Sequence, residues 1–305
     1  MQGRGNLYLG RPARYDWDKG LRFGDKFLRS GPMAKTKINR VVVKVGSSIL
    51  SDGDNIAQDR LDALAVFLGE AKKSGRDVIL VTSAAVASGA TALTLDHKMN
   101  ISKKALAAVG QPILMSHYER AFAKVGELTA QILLTEEDFD SRKRTQIFAD
   151  IIDKLLDNDI IPIVNENDIS TTEDQVFGDN DRLSAHVAHY TESPLLIILS
   201  DIDGLYDKNP RTHNDAKLIG KVDDVTDEMI AGVVNVAGEF ASGGMRTKLV
   251  AARFLLQRGR RMFLANGFAL DSAREFLLNE RQTSGTIFEN DFKPLSPNPP
   301  MHGRI

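Results

Sequence analysis

The sequence predicts an α/β protein, a three-layer αβα sandwich with a mostly parallel central sheet. Short β-branched runs alternate with helical patterns, and this alternation is typical of parallel sheets. The runs are continuously apolar, as expected for strands that helices cover on both faces. The chain has 305 residues, 42% of them hydrophobic, which is enough to bury the core of such a fold.

Six short runs of apolar and β-branched residues are predicted to be the strands. They are residues 40–45, 78–82, 131–134, 160–164, 195–199 and 261–264. Elsewhere, apolar residues recur at steps of three and four, which predicts amphipathic helices. The clearest helical segments are residues 60–73, 103–122, 142–156 and 247–257.

The pattern divides the chain into one domain with two extensions. Residues 1–32 show no usable period and are predicted to be a leader or disordered extension. Residues 291–305 contain four prolines and are predicted to be a disordered tail. Residues 33–290 then form a single domain. The break around Ser193-Pro194 favours two lobes, 33–192 and 193–290, although a proline before a strand is also common inside one domain.

Composition excludes several kinds of partner. The formal net charge is −2 and the pI is about 6.3, whereas nucleic-acid binding asks for a basic face. No apolar run approaches the roughly 18 residues of a membrane span. Cysteine is absent, which excludes disulfides and thiolate metal sites and fits a cytoplasmic protein. His186 and His189 are interpreted as one helix face and no metal site is expected.

Polar clusters near the ends of predicted strands point to a functional site. The most informative cluster is Asp179-Asn180-Asp181, directly before a helical pattern, and Asn165-Glu166-Asn167-Asp168 closes a strand upstream. Such clusters are costly to bury for structure alone. Ligand sites of open α/β sheets gather beyond the carboxyl ends of the strands.

The first strand carries a lysine, Lys44, followed by Gly46. Lys44 could simply lie along apolar surface or pair with a carboxylate such as Asp181. Gly46 favours an anion site, because a residue without a side chain lets backbone N–H groups approach a ligand.

Three further segments combine turn residues with groups that bind anions. Ser83 lies at a strand-to-helix turn, either as a helix cap or as a ligand contact. Gly243-Gly244 is predicted to open a helix that carries Lys248, either as a phosphate cradle or as a flexible loop. Ser200 and Asp201 end the fifth strand, a usual position for nucleotide contacts.

In this order, the motifs resemble the amino acid kinase family, and within it the branch that acts on free L-glutamate. The resemblance extends over residues 38–288. Its motifs are V-K-V-G-S-S (43–48), V-T-S-x-A-x-A-x-G (81–89), N-E-N-D (165–168), G-D-N-D-x-L-S-A (178–185), S-D-I-D-G-L-Y (200–206) and G-G-M-x-T-K (243–248).

The resemblance implies ATP-dependent phosphorylation of the γ-carboxylate of L-glutamate, the first step of proline biosynthesis. The implied catalytic residues are Lys44, Asp181 and Lys248. The implied glutamate contacts are Gly46, Ser83, Asp168 and Asn180, with Ser83 and Asn180 bonded to the substrate's carboxylates. The implied ATP contacts are Lys44, Ser200, Asp201, Ser242, Gly243, Gly244, Met245, Arg246, Thr247 and Lys248. Mg²⁺ is expected mainly on the phosphates.

Other expectations also come from the resemblance. It implies a short form without the C-terminal PUA domain, a homo-oligomer (dimer or tetramer), and proline as a feedback inhibitor. Ala84 and Ser242 depart from the family's usual glycine and threonine. The alternatives are a related kinase of N-acetylglutamate or aspartate, which Asp168 disfavours in the case of an acetylated nitrogen, and a non-catalytic amino-acid sensor.

Overall fold

The computed structural model describes residues 38–52, 55–93, 101–170 and 180–291, with residues 233–243 described by their backbone. All of them lie in one compact unit, Ala34–Lys293. The predicted leader and nearly all of the predicted tail lie outside the described residues.

The described residues build an eight-stranded sheet in the order β5-β6-β4-β1-β7-β9-β10-β8. Its strands are β1 Arg40–Val45, β4 Asp77–Val81, β5 Leu128–Leu134, β6 Ile160–Glu166, β7 Leu195–Ser200, β8 Lys221–Val222, β9 Arg261–Asn266 and β10 Thr286–Phe288, while β2 Ser51–Asp52 and β3 Asn55–Ile56 form a separate hairpin. The six strands from β5 to β9 in that order are mutually parallel. The predicted parallel sheet is therefore confirmed. Strand β10 is antiparallel to β9, and β8 pairs with β10 at the edge of the sheet.

Helices cover both faces of this sheet, which confirms the three-layer prediction. They are α1 Ser47–Leu50, α2 Gln58–Lys73, α3 Ala85–Thr91, α4 Lys103–Ala123, α5 Arg142–Asp157, α6 Asn180–Tyr190, α7 Asp227–Leu256 and α8 Asp271–Asn279. One core cluster packs α2, α4 and α8 against the sheet. The other packs α5, α6 and α7 against the opposite face.

The pleat of β1 determines which face its lysine meets. Val41, Val43 and Val45 belong to the core beneath α2 and α4, and Val42 belongs to the core beneath α6 and α7. Because successive side chains of a strand alternate between faces, Lys44 points with Val42 towards α6 and α7.

Two glycines allow α3 and α4 to cross in backbone contact. A Cβ built on Gly89 would lie 2.0 Å from the carbonyl oxygen of Leu106, and one on Gly110 would lie 1.8 Å from that of Ala85. No side chain fits at either position. The crossing fixes the start of α3, which follows the predicted ligand segment at Ser83.

The helix that carries Lys248 begins earlier than predicted, so that prediction was wrong. Gly243-Gly244 lies inside α7, which starts at Asp227 with Thr226 as its N-cap, its side chain accepting from Met229 N at 3.2 Å. Glycine inside a helix costs only about 1 kcal/mol relative to alanine. Most of the stability of such a helix comes from packing, here from Leu249, Ala252 and Leu255 in the core.

Candidate active site

The predicted site residues gather at the carboxyl ends of four adjacent strands. Across the sheet, β6 leads to Asp168, β4 to Ser83, β1 to Gly46, and β7 ends at Ser200. Strand β1 lies at the centre, where Lys44 is paired in register with Val81 of β4 and Ile198 of β7. Carboxyl ends of parallel strands are the usual place for ligands in such sheets.

A carboxylate held by two lysines lies beside the end of β1. Lys44 Nζ is 2.8 Å from Asp181 Oδ1, and Lys248 Nζ is 3.1 Å from Asp181 Oδ2. Thr247 Oγ1 also donates to Asp181 Oδ2 at 2.9 Å. The three catalytic residues that the resemblance implied, from β1, α6 and α7, are thus brought together.

The electrostatics of this triad favour the fully charged state. The Asp181 side chain is 0% exposed and those of Lys44 and Lys248 are 5% and 10% exposed. Burial opposes ionisation of Asp181, but attraction to Lys44 and then to Lys248 outweighs it and lowers the pKa to about 2. The site therefore carries two cations and one anion, and its net positive charge suits an anionic ligand.

Gly46 leaves open space beside the lysine. A Cβ built there would lie 3.8 Å from Lys44 Nζ and 3.8 Å from Ser48 Oγ. These are ordinary contact distances, so protein packing does not require glycine at this position. The missing side chain instead leaves room next to a buried ammonium group.

Ser83 is not the N-cap of α3. The cap position is Ala84, and no side chain forms a capping hydrogen bond. Ala84 has φ 81°, in the left-handed region that L-residues other than asparagine and aspartate seldom adopt. The structural alternative for Ser83 is therefore wrong, and its half-buried hydroxyl is not used to cap the helix.

Asn180 ties the start of α6 to the end of β4. Its Nδ2 donates to the carbonyl of Thr82 and, at 2.8 Å, to Oδ1 of Asn165. Asn165 in turn donates to Gln111 Oε1 of α4 at 2.8 Å. Sequence reasoning missed Gln111, and its only signal is a buried polar residue inside an apolar helical pattern.

Asp168 lies in the turn that follows β6. Its neighbour Asn167 is held by a hydrogen bond from its N to Leu134 O at 2.8 Å, and Ser170 N closes the turn on Asn167 O at 3.2 Å. Burial raises the pKa of Asp168. A half-buried carboxylate of this kind favours a cationic partner.

Ser200 and Asp201 lie on the opposite side of β1, at the end of β7. Ser200 Oγ donates to Asp201 Oδ1 at 3.2 Å, and Arg211 forms an ion pair with Asp201 Oδ2. Gly267 N donates to Ser200 O at 2.7 Å, which joins the ends of β7 and β9.

The segment 242–248 reaches the site through side chains at its end. Lys248 Nζ donates to Gly244 O at 3.1 Å. Thr247 Oγ1 lies 2.9 Å from the same oxygen, so its single proton is shared between Gly244 O and Asp181 Oδ2. Gly244 and Arg246 are exposed and Met245 is half-buried, whereas the side chain of Ser242 lies outside the described residues. Because the backbone here is helical, its N–H groups bond within α7 and do not form the open cradle predicted for Gly243-Gly244.

The two histidines of α6 belong to an aromatic cluster. His186 is buried, with its ring 5.0 Å from that of Phe139 and 4.6 Å from that of Phe254. Burial, and then the charges of Arg258 and Arg182, lower its pKa to about 3. This agrees with the interpretation of His186 and His189 as a helix face.

Comparison with protein families identifies the class of protein to which this chain belongs. The chain belongs to the amino acid kinase family, whose model matches residues 39–266. This range contains the whole lysine-aspartate triad.

Three relatives that align with most of the chain are all named glutamate 5-kinase. The glutamate 5-kinase of Wolinella succinogenes is 52% identical over 255 residues, covering 82% of this chain and 98% of that protein. The glutamate 5-kinase of Leishmania donovani is 47% identical over 251 residues, covering 82% of this chain and 95% of that protein. With the glutamate 5-kinase of Geobacillus kaustophilus, the match is 43% identical over 244 residues and covers 79% of this chain but 65% of that protein.

Solved structures share the fold at low sequence identity. Carbamate kinase from Giardia lamblia bound to AMP-PNP superposes with a TM-score of 0.60 at 17% identity, covering 83% of this chain and 98% of that one. An isopentenyl phosphate kinase superposes with a TM-score of 0.57 at 18% identity, covering 82% of this chain and 100% of that one. These likenesses support the fold.

Proposed function

We propose that this protein is an ATP-dependent kinase that phosphorylates the γ-carboxylate of L-glutamate to L-glutamyl 5-phosphate, the first step of proline biosynthesis. The observation that carries the proposal is the triad in which Asp181 holds Lys44 and Lys248 beside the end of β1. The relatives named glutamate 5-kinase support the choice of acceptor.

The reaction needs no general base. The γ-carboxylate has an ordinary pKa of about 4.3 and is ionised at neutral pH. One of its oxygens attacks the γ-phosphorus of ATP. The bond from that phosphorus to the bridging oxygen breaks, and the oxygen leaves with the electron pair as part of ADP.

Lys44 and Lys248 supply the charge stabilisation that this transfer requires. Negative charge spreads over the oxygens of the transferred phosphoryl group in the transition state. The two ammonium groups are buried and already oriented by Asp181, so they bind this charge without reorganisation. Asp181 itself acts as the positioning carboxylate.

Mg²⁺ fits this scheme as an ion carried by the nucleotide. Both carboxylate oxygens of Asp181 face lysines, so this central carboxylate is engaged with cations of the protein. When bound, Mg²⁺ neutralises phosphate charge, as is usual for ions held mainly by phosphates.

The two substrates enter from opposite sides of β1. Glutamate lies on the β4 and β6 side, with its α-ammonium against Asp168 and its carboxylates near Ser83 and the backbone at Gly46. ATP lies on the β7 side, along Ser200, Asp201 and the segment 242–248 that ends in Lys248. This arrangement corresponds to a glutamate lobe, 33–192, and a nucleotide lobe, 193–290.

Regulation and assembly belong to the same proposal. We infer a cytoplasmic homo-oligomer, dimer or tetramer, that proline inhibits by feedback. Among the described helices, none combines the length and apolar character that a membrane crossing requires.

A related acid is the second candidate acceptor. Aspartate and N-acetylglutamate kinases would use the same triad, but the half-buried Asp168 carboxylate disfavours an acetylated, uncharged nitrogen. A non-catalytic sensor is disfavoured because the complete triad is present.

The experiment that tests the proposal traps the acyl phosphate. The purified protein is incubated with Mg-ATP and hydroxylamine, and with glutamate, N-acetylglutamate or aspartate in turn. We expect hydroxamate with glutamate alone. Hydroxamate with a different acid would reassign the acceptor, and binding of ATP and glutamate without any hydroxamate would contradict kinase activity.

A further inference from the structure

Four amide side chains form a continuous chain of hydrogen bonds from the proposed glutamate site to the edge of the sheet. Asn180 Nδ2 donates to Asn165 Oδ1 at 2.8 Å, Asn165 Nδ2 to Gln111 Oε1 at 2.8 Å, and Gln111 Nε2 to Gln131 Oε1 at 3.2 Å. The first three are buried, while Gln131 on β5 is exposed. This set is called the amide relay below.

The direction of the amide relay is fixed at its inner end. Asn180 Nδ2 also donates to the carbonyl oxygen of Thr82, and a backbone carbonyl can only accept. The Asn180 amide therefore cannot be turned over without placing two acceptors face to face. Each following amide then points its oxygen inward and its nitrogen outward.

This direction determines what Asn180 offers to a substrate. A primary amide has two N–H donors and one oxygen acceptor, and both donors of Asn180 serve Thr82 and Asn165. The oxygen Oδ1 is the atom that remains for a ligand. Asn180 is thus built to accept a hydrogen bond, which suits the α-ammonium group better than the carboxylate that the family resemblance implied.

We propose that Gln111 is a positioning residue for glutamate recognition, acting through Asn165 to hold Asn180 Oδ1 towards the α-ammonium group. The proposal rests on the proposed function, since it concerns how that acceptor is bound. With Asp168, Asn180 Oδ1 provides two acceptors for an ammonium group that has three donors.

Gln111 is the member of the amide relay that carries this effect. Its Oε1 accepts from Asn165 in the buried part of the relay. Without that oxygen, Asn165 Nδ2 loses its partner, and a buried unsatisfied donor is costly enough to drive reorientation. If Asn165 turned over, its nitrogen would face the nitrogen of Asn180. Gln131, by contrast, is exposed and water can replace it.

The test measures steady-state kinetics for Gln111→Met, which keeps the side-chain length but removes the acceptor. We expect the KM for glutamate to rise about tenfold, equivalent to about 1.4 kcal/mol. The KM for ATP and kcat should stay within twofold, because the triad and the nucleotide side are unchanged. If Gln111→Met only disturbed the folded structure, kcat and the melting temperature would fall, and the KM for glutamate would not rise selectively.

Two matched variants complete the test. Gln111→Glu retains an acceptor for Asn165, and Gln131 can turn its own amide to donate, so the KM for glutamate should return to within threefold of wild type. Gln131→Met, at the exposed end of the amide relay, should leave the KM for glutamate within twofold of wild type. An unchanged KM for glutamate in Gln111→Met, or equal losses in Gln111→Met and Gln111→Glu, would overturn the proposal.

Different results would contradict the proposed function and the role of Gln111. If the wild-type protein forms no glutamyl hydroxamate, the proposed function is wrong. If it forms glutamyl hydroxamate and Gln111→Met keeps the wild-type KM for glutamate, only the role of Gln111 is wrong.

Discussion

At the scale of single residues, the burial of Asp181 favours a functional role over a structural one. Burying an ion pair stabilises a protein weakly, because the desolvation penalty offsets the attraction. A carboxylate that is 0% exposed and contacts two buried lysines is therefore poorly explained by stability. In the proposed reaction, its role is to hold two cations at a fixed place.

Ala84 is a strained residue whose replacement should stabilise the protein. Its φ of 81° costs an alanine roughly 1–2 kcal/mol, whereas glycine adds about 0.4–1 kcal/mol of unfolded-state entropy. We expect Ala84→Gly to raise the free energy of unfolding by about 0.5 kcal/mol and to retain glutamate turnover. Denaturant titration measures the first and hydroxamate formation the second.

Ala85→Gly is the matched control for this substitution. Ala85 is the first residue of α3 and has no positive φ, so glycine there should only destabilise, by up to about 1 kcal/mol. A loss of stability in Ala84→Gly as large as that in Ala85→Gly would contradict the strain argument.

Asp168 should make glutamate binding sensitive to acid. Burial raises its pKa in the free protein, while a bound ammonium group favours the ionised carboxylate. Binding is therefore unaffected well above the raised pKa and weakens as the pH falls through it. We expect the KM for glutamate to rise on this acid limb, measured from neutral pH downwards.

Asp168→Asn separates this effect from the titration of glutamate itself. The substrate's γ-carboxylate protonates near pH 4.3 with either protein, so that contribution is common to both. The variant should bind glutamate more weakly at neutral pH and lose the additional acid limb, while its KM for ATP is unchanged. The same acid limb in Asp168→Asn would remove Asp168 from ammonium recognition.

Single residues stood out in the sequence where a charge lay inside an apolar strand or where polar residues clustered at the end of a predicted element. Lys44 is of the first kind and Asp168 and Asp181 are of the second, and the pairing of Lys44 with Asp181 was already an open alternative. Gln111 was not predictable. Its partners Asn165 and Gln131 lie 54 and 20 residues away, and only the fold brings them together.

At the scale of elements, the crossing of α3 and α4 fixes the start of α3, which follows the proposed ligand segment at Ser83. A methyl group on Gly110 would lie 1.8 Å from Ala85 O and 2.3 Å from Gly89 N. Both are backbone atoms that cannot move aside singly. We expect Gly110→Ala to lower the free energy of unfolding by about 3 kcal/mol and to raise the KM for glutamate, as measured by denaturant titration and kinetics.

Gly232→Ala is the control for glycine in a helix. Gly232 lies in α7, and a Cβ there meets nothing within 4 Å, so alanine should stabilise the protein by up to about 1 kcal/mol. Equal stability of Gly110→Ala and the wild type would show that the helices separate without cost.

Helices and strands with a strong hydrophobic periodicity were predictable from the sequence, and the others were not. The six parallel strands and helices α2, α4 and α5 follow from apolar runs and three- and four-residue steps. Strands β8 and β10 contain two and three residues, too few to show a period. The start of α7 was missed because two glycines suggested a break, although its cap at Thr226 lies far upstream.

At the scale of the whole molecule, the order of strands explains how one site serves two substrates. Strand β1 lies between β4 and β7, so in the proposed arrangement it separates the glutamate side on β4 and β6 from the nucleotide side on β7. Lys44 from the centre of the sheet and Lys248 from the second half of the chain meet at one aspartate. In the proposed reaction the phosphoryl group crosses between the sides at this point.

The measurement that tests this account most directly is the rate of glutamyl hydroxamate formation by Lys248→Met at saturating glutamate and Mg-ATP. Asp181 keeps Lys44 and Thr247 as partners in this variant, so the fold should survive. Losing one preorganised cation should lower kcat by about 100-fold or more, while Lys208→Met, at a surface ion pair with Asp215, should match the wild type. A folded Lys248→Met protein with the wild-type rate would contradict the central role of the triad.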